Sequence, residues 1–333
     1  MTDAELVSDL FESQGRELLD AQTNDKVENV AQPDSQGPQP NEQVALNEAL
    51  TYEQAALYLE RIGMADEAIL LRENLVTTPH AWPLSPSLEL LNKLVMAHLV
   101  SVPFESIDLV GSKHPINLGT QQLFNKIVSR RRGGYCFELN KSFNSLLKAL
   151  GFTTRSFLGR AMLGYTGIKP RLHRVNVVDF SGEDCQGTYL VEVGYGGPVP
   201  AMAVLLCSGS FTDPFGVRFR LTYGQSDPQI GITDQTWLLT RIGSDDQDDL
   251  TVLSFEEMQQ FEVDFIAINY YCSTAPDAYF RKNLVVNLSR TDGYVSITND
   301  KLKLVSTDKT IEQDISDARL RTEALKNYFG IVL

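Results

Sequence analysis

Apolar residues fall at helical spacing through the first part of the chain and at alternating positions through its middle. Tyr52, Ala55, Ala56, Leu59 and Ile62 share one helical face, with Thr51 and Gln54 as a capping box and Gly63 as a stop. Further helices are predicted over Ala65 to Leu75, over Pro86 to about Leu99 with Ser85 as cap, and over Thr120 to Ser129. Leu139, Phe143, Leu146, Leu147 and Leu150 mark a helix that opens after Gly133 and Gly134 and stops at Gly151. Beyond Gly151 the period shortens. Arg155 to Met162, Arg174 to Val178, Tyr189 to Val193, Ala203 to Cys207, Val217 to Tyr223 and Thr236 to Arg241 read as strands between Gly, Asp, Pro and Ser clusters. Their short connections predict an antiparallel sheet or barrel. Ser254 and Glu257 then form a second capping-box pattern, which predicts a helix to about Tyr271. Asn283 to Ser289, Tyr294 to Thr298 and Leu302 to Val305 read as a meander turning at Asp292-Gly293. A last helix is predicted from about Ile311 to Tyr328, before an apolar tail of Phe329, Ile331 and Leu333. The pattern is α+β: helices, then strands, then a mixed region.

Residues 1 to 48 stand apart. A short helix is predicted over Ala4 to Ala21, and the rest is rich in Gln, Asn, Asp and Pro, which reads as an acidic, mobile extension. A sharper alternative is a partner-binding arm docking through Leu6, Leu10, Phe11 and Leu18. The whole chain carries a net charge of -14. That balance argues against nonspecific binding to nucleic acid or to an anionic membrane. No apolar run reaches the length of a membrane span, and no signal-peptide pattern opens the chain, so a cytoplasmic protein is expected. Cys136, Cys185, Cys207 and Cys272 are far apart and lack metal-ligand spacing, so neither a metal site nor a disulfide framework is expected.

Candidate chemistry centres on RRRGGYCFELN, Arg130 to Asn140, where Gly133 and Gly134 deliver Cys136 to a helix N-terminus. Free N–H groups and the helix dipole there favour the thiolate, the nucleophilic form. The alternative is a cysteine packed under a turn. A nucleophilic thiol needs a base, and the base needs an orienting group. Of the four histidines, His98 lies on an apolar helix face, and His80 and His114 lie in loop-like sequence. His173 instead opens a strand beyond the cysteine helix. The next strand carries Glu192 between Val191 and Val193, ahead of Gly194, Tyr195, Gly196 and Gly197. A carboxylate between valines is costly to bury unless paired, and an imidazole is an apt partner; an outward-pointing strand residue is the alternative.

These residues resemble the arylamine N-acetyltransferases. The resemblance runs through YLERIG (Tyr58 to Gly63), HLVSVPFESIDL (His98 to Leu109), RRGGYCFELN, HRVNVV from His173, LVEVGYGG from Leu190, NYYCSTAP from Asn269 and the ending YFGIVL. It implies a papain-like cysteine-enzyme core in three parts: a helical bundle over residues 49–152, an antiparallel β-barrel over 153–253, and a C-terminal α/β lid over 274–333. An interdomain helix over 254–273 joins the last two. It implies ping-pong transfer from acetyl-CoA, without a metal, to an aromatic amine or hydrazine through acetyl-Cys136, with His173 and Glu192 as the other catalytic residues. By the same resemblance Tyr195 lines the acceptor pocket, Gly194, Gly196 and Gly197 border the acyl and CoA site, and Glu105 pairs with Arg132 to steady the Gly133-Gly134 turn. The family ordinarily has aspartate where this chain has Glu192, so Glu192→Asp is expected to retain or raise activity. An amide synthase of the same fold, or a catalytically weak binding homologue, would share these motifs.

Overall fold

The computed structural model describes residues 49–77, 84–182, 186–243 and 248–333. The helix expected over Ala4 to Ala21, the rest of the extension, His80 and Cys185 lie outside the described residues.

The first part is a helical bundle. Helix α1 is Tyr52–Arg61, and its capping box is formed: Thr51 Oγ1 accepts from the Gln54 N–H at 3.2 Å, and Gln54 Oε1 accepts from the Thr51 N–H at 2.9 Å. Helix α2 is Ala65–Thr77 and α3 is Leu88–Ser101. The cap of α3 is Ser87 and not Ser85, because Ser87 Oγ reaches the Leu90 N–H at 3.1 Å. Helix α4, Thr120–Phe124, widens into a π-helical turn over Asn125–Ser129. Helix α5, Cys136–Ala149, buries Phe137, Leu139, Phe143, Leu146 and Leu147.

The middle is one antiparallel sheet of eight strands curled into a half-barrel, with strand order β5-β4-β3-β2-β9-β8-β7-β6. Its members are β2 (Thr153–Ala161), β3 (His173–Ser181), β4 (Gln186–Val191), β5 (Val204–Leu205), β6 (Gly209–Thr212), β7 (Arg218–Tyr223), β8 (Thr236–Arg241) and β9 (Leu250–Gln260). Strand β9 corrects the helix expected from Ser254. It lies between β2 and β8, pairs with both, and buries Val252, Leu253 and Phe255. Pairing along both edges overrides a local capping pattern. The helix that follows, α6, covers only Asp264–Thr274.

A short helix α7 (Tyr279–Lys282) leads into a second antiparallel sheet, ordered β1-β10-β11-β12-β13. It comprises β1 (Phe104–Glu105), β10 (Val285–Arg290), β11 (Gly293–Thr298), β12 (Lys301–Ser306) and β13 (Thr310–Asp314). The hairpin turns at Thr291-Asp292, one residue before the expected position, because Gly293 already pairs with Arg290. Gly293 has φ +152, and a Cβ there would stand 2.0 Å from Val305 O. The last helix, α8, starts at Ala318 rather than Ile311, since Thr310 to Asp314 form the exposed edge strand β13. Asp317 caps α8 by accepting from the Arg319 and Leu320 N–H groups at 2.9 and 3.1 Å.

One core runs from the bundle into the half-barrel, and a smaller one lies between the second sheet and α8. Strand β1 belongs to both stories. It follows α3, pairs with β10, and brings Glu105 beneath the turn that precedes α5.

Candidate active site

Cys136 is the first residue of α5 and is 5 % exposed. Its sulfur lies 3.8 Å from Leu172 O, the carbonyl immediately before His173. Burial pushes the Cys136 thiol well up, and the nearby Cys272 and Glu192 add to this, against backbone N–H groups that pull it down. This upward push works against the thiolate that the helix N-terminus favours, and leaves the proton for a base to take.

His173 opens β3 and is 2 % exposed. Its Nε2 is 2.8 Å from Glu192 Oε2. The other carboxylate oxygen accepts from Asn140 Nδ2 and from the Gly194 N–H, both at 2.8 Å. Asn140 is one helical turn beyond Cys136, so the two share a face of α5. Its amide is fully used: Nδ2 also donates to Arg174 O at 2.6 Å, and Oδ1 accepts from the Val193 N–H at 3.3 Å. Asn176 Nδ2 donates back to Asn140 O at 2.6 Å. Helix α5 is thereby tied to β3 and to the end of β4, the elements that carry the histidine and the carboxylate.

The start of β3 is clamped again from the far side. Arg174 is fully buried and makes a bidentate pair with Glu262, at 3.0 and 2.7 Å, while Lys141 reaches the same carboxylate at 2.8 Å. Burial would raise the Glu262 carboxyl, but Arg174 and Lys141 outweigh it and bring it down to about 2.

The turn before α5 rests on five charged groups. Arg132 donates to Glu105 Oε1 through Nε at 3.0 Å and through Nη2 at 2.7 Å, and Nη2 also reaches Asp108 at 2.8 Å. Lys126 stands among Glu138, Asp108 and Glu105. Burial works against its ammonium, yet the three carboxylates push its pKa up. Gly133 is required by a close approach, because a Cβ there would meet Pro103 O at 1.9 Å.

Tyr195 sets its ring edge-on to His173, centroids 5.3 Å apart, and spends its hydroxyl on Val252 O. Gly194 packs on Asn140 and Cys136, and Gly196 on Phe104. Gly196 and Gly197 border a small open pocket with Val102, Phe104, Asn287 and Ser289. His98 is fully buried, 3.0 Å from the Tyr58 hydroxyl, and burial brings its pKa down to about 3. It is a neutral core histidine, whereas His114 is exposed.

Asn140, Lys126, Asp108 and Glu138 are absent from the sequence-based site. Asn140 had a visible signal in its position four residues beyond Cys136. Lys126 and Glu138 had none, since their spacing is that of ordinary polar helix residues. Among the described residues no group of three or more His, Cys, Asp or Glu side chains is placed to hold a metal, and no helix is long and apolar enough to cross a membrane.

A sequence model of the N-acetyltransferase family matches residues 87–333. The arylamine N-acetyltransferase / N-hydroxyarylamine O-acetyltransferase of Salmonella typhimurium is 28% identical over 263 residues, covering 77% of this chain and 86% of its own. Among solved structures, the Mycobacterium marinum arylamine N-acetyltransferase in complex with CoA superposes with a TM-score of 0.68 at 27% identity, covering 82% of this chain and 91% of that one. The Nocardia farcinica arylamine N-acetyltransferase gives 0.69 at 26%, covering 87% and 94%. A helical bundle that carries the cysteine, a half-barrel that carries the histidine and the carboxylate, and a C-terminal α/β region define an acyltransferase scaffold. The chain belongs to the arylamine N-acetyltransferase family, with Glu192 paired to His173 where aspartate is usual.

Proposed function

We propose that the protein transfers the acetyl group of acetyl-CoA to aromatic amines or hydrazines through acetyl-Cys136. The observation that carries this reading is the 2.8 Å contact between His173 Nε2 and Glu192 Oε2, with the Cys136 sulfur 3.8 Å from the carbonyl that precedes His173. His173 takes the Cys136 proton as sulfur attacks the thioester carbonyl, and returns it to the departing CoA thiolate. In the second half-reaction the amine attacks acetyl-Cys136, and His173 moves its proton to the cysteine sulfur. Glu192 keeps the imidazole oriented and stabilises the imidazolium. Tyr135 N–H and Glu138 N–H are already spent, on Glu138 Oε2 and Tyr135 O, both at 3.0 Å. We assign the Cys136 N–H as the first-turn donor for the developing oxyanion.

In this reading Gly194, Gly196 and Gly197 border the acyl and CoA site, and Tyr195, edge-on to His173, contributes an aromatic wall for the amine. Steady-state kinetics with acetyl-CoA and an aromatic amine should give parallel double-reciprocal lines and an N-acetylated product. Intersecting lines would contradict a covalent acetyl-enzyme, and absence of product with amines and hydrazines alike would overturn the acceptor class.

A further inference from the structure

Lys126 stands in an unusual place for a lysine. Its side chain is 7% exposed, and Nζ lies 2.8 Å from Glu138 Oε1, 2.9 Å from Asp108 Oδ2 and 3.6 Å from Glu105 Oε1. Arg132 also serves Glu105 and Asp108. Among the described residues Lys126 is the only cation paired with Glu138.

Glu138 in turn holds the N-terminus of α5. Its Oε2 accepts from the Tyr135 N–H at 3.0 Å, and Tyr135 is the residue that precedes Cys136. The Tyr135 side chain cannot cap the helix, because its hydroxyl donates to Asn269. Gly134 packs directly on Glu138: a Cβ there would stand 2.7 Å from Glu138 Cβ. The π-helical turn places Lys126 for this task. Its wide ring closes with Arg130 N on Asn125 O at 2.9 Å, and Arg132 N then reaches Lys126 O at 3.0 Å, so both cations face one group of carboxylates. An ionised carboxylate makes the stronger cap. Burial and Glu105 push Glu138 toward its protonated form, against Lys126 and the Tyr135 N–H.

We infer that Lys126 is a positioning residue of the active site: its ammonium fixes the Glu138 carboxylate, which holds the Tyr135 N–H and with it the turn that presents Cys136. The inference rests on Cys136 being the nucleophile. Without Lys126 the buried carboxyl loses its cation and shifts further toward its protonated form, the cap weakens, and the sulfur drifts from its working position.

The test compares wild type, K126R, K126M and K126M/E138Q by the rate of iodoacetamide alkylation at Cys136 against pH, read by peptide mass. Exposed Cys207 is the internal control. Acetyl-transfer kcat and KM are measured alongside. The inference expects K126M to lose about 10- to 100-fold in Cys136 alkylation at pH 7 and in kcat, with KM little changed. Its alkylation profile should also gain an ionisation that restores the rate as pH rises. K126R and K126M/E138Q should recover most of the loss, since the arginine keeps the charge and the glutamine carbonyl caps without one. Wild-type alkylation in K126M, or a double variant as slow as K126M, would overturn it. Should K126M fail to fold, the double variant decides: near-wild-type alkylation supports the inference, and a tenfold loss overturns it. A wild-type protein that alkylates at Cys136 but transfers no acetyl group would sink the functional reading alone.

Discussion

Glu192 is one methylene longer than the family's aspartate, and its surroundings are built for that length. One oxygen meets His173 while the other meets Asn140 and the Gly194 N–H, so all of the carboxylate's contacts close at 2.8 Å. Shortening the side chain withdraws it from one side or the other. Contrary to the expectation drawn from the family pattern, Glu192→Asp should therefore lower kcat, by about tenfold, in proportion to the loss of alignment. Glu192→Gln should cost about 100-fold or more, because an amide cannot stabilise the imidazolium. Steady-state rates with acetyl-CoA and one aromatic amine check both. Asn140→Ala removes donors from Glu192 and Arg174 O and an acceptor from Val193; a stability loss of about 1–3 kcal/mol is expected in urea unfolding, with a fall in kcat. Cys136, His173 and Glu192 could each be singled out in the sequence. The pairing of His173 with Glu192 could not, because the two are 19 residues apart and meet only where β3 lies beside β4, and the approach of Cys136 depends on α5 packing against β3.

At the scale of elements, helices with buried faces were easy to read and exposed or doubly paired strands were not. Helices α1 and α5 show their period plainly, since Ala55, Ala56 and Leu59, and Leu139, Phe143 and Leu146, are all buried. Strand β13 has no buried residue and hence no alternation to see, so its residues merged with the helix behind it. Strand β9 hid behind a capping pattern because its stability comes from β2 and β8. Glu105 and Arg132 join two such elements, β1 and the turn before α5. Removing Arg132 leaves the buried Glu105 with Lys126 as its remaining cation at 3.6 Å, so Arg132→Met should destabilise the protein by about 1–3 kcal/mol, whereas replacing both Glu105 and Arg132 should cost less than the sum. Denaturant titration of the two single variants and the double variant measures this.

Over the whole molecule, stability in acid depends on paired carboxylates, and Glu262 is the clearest case. Its pKa falls from an ordinary 4.5 to about 2 on folding, because Arg174 and Lys141 outweigh burial. A depressed folded value means that its contribution is complete above about 4.5 and is lost as pH falls toward 2. Thermal melts between these limits should show Glu262→Gln with a flatter acid dependence than wild type. Since Glu262 clamps Arg174 next to His173, the same variant should also slow transfer at neutral pH. The proposed acyl transfer depends on the joint between the bundle and the half-barrel, where α5 presents the Cys136 thiol near the His173–Glu192 pair. Its most direct test is the mass of the full chain after brief exposure to acetyl-CoA alone. The account predicts one added acetyl group, located on Cys136, absent in Cys136→Ser and discharged by an aromatic amine; a chain that gains no acetyl group, or gains it elsewhere, would contradict it.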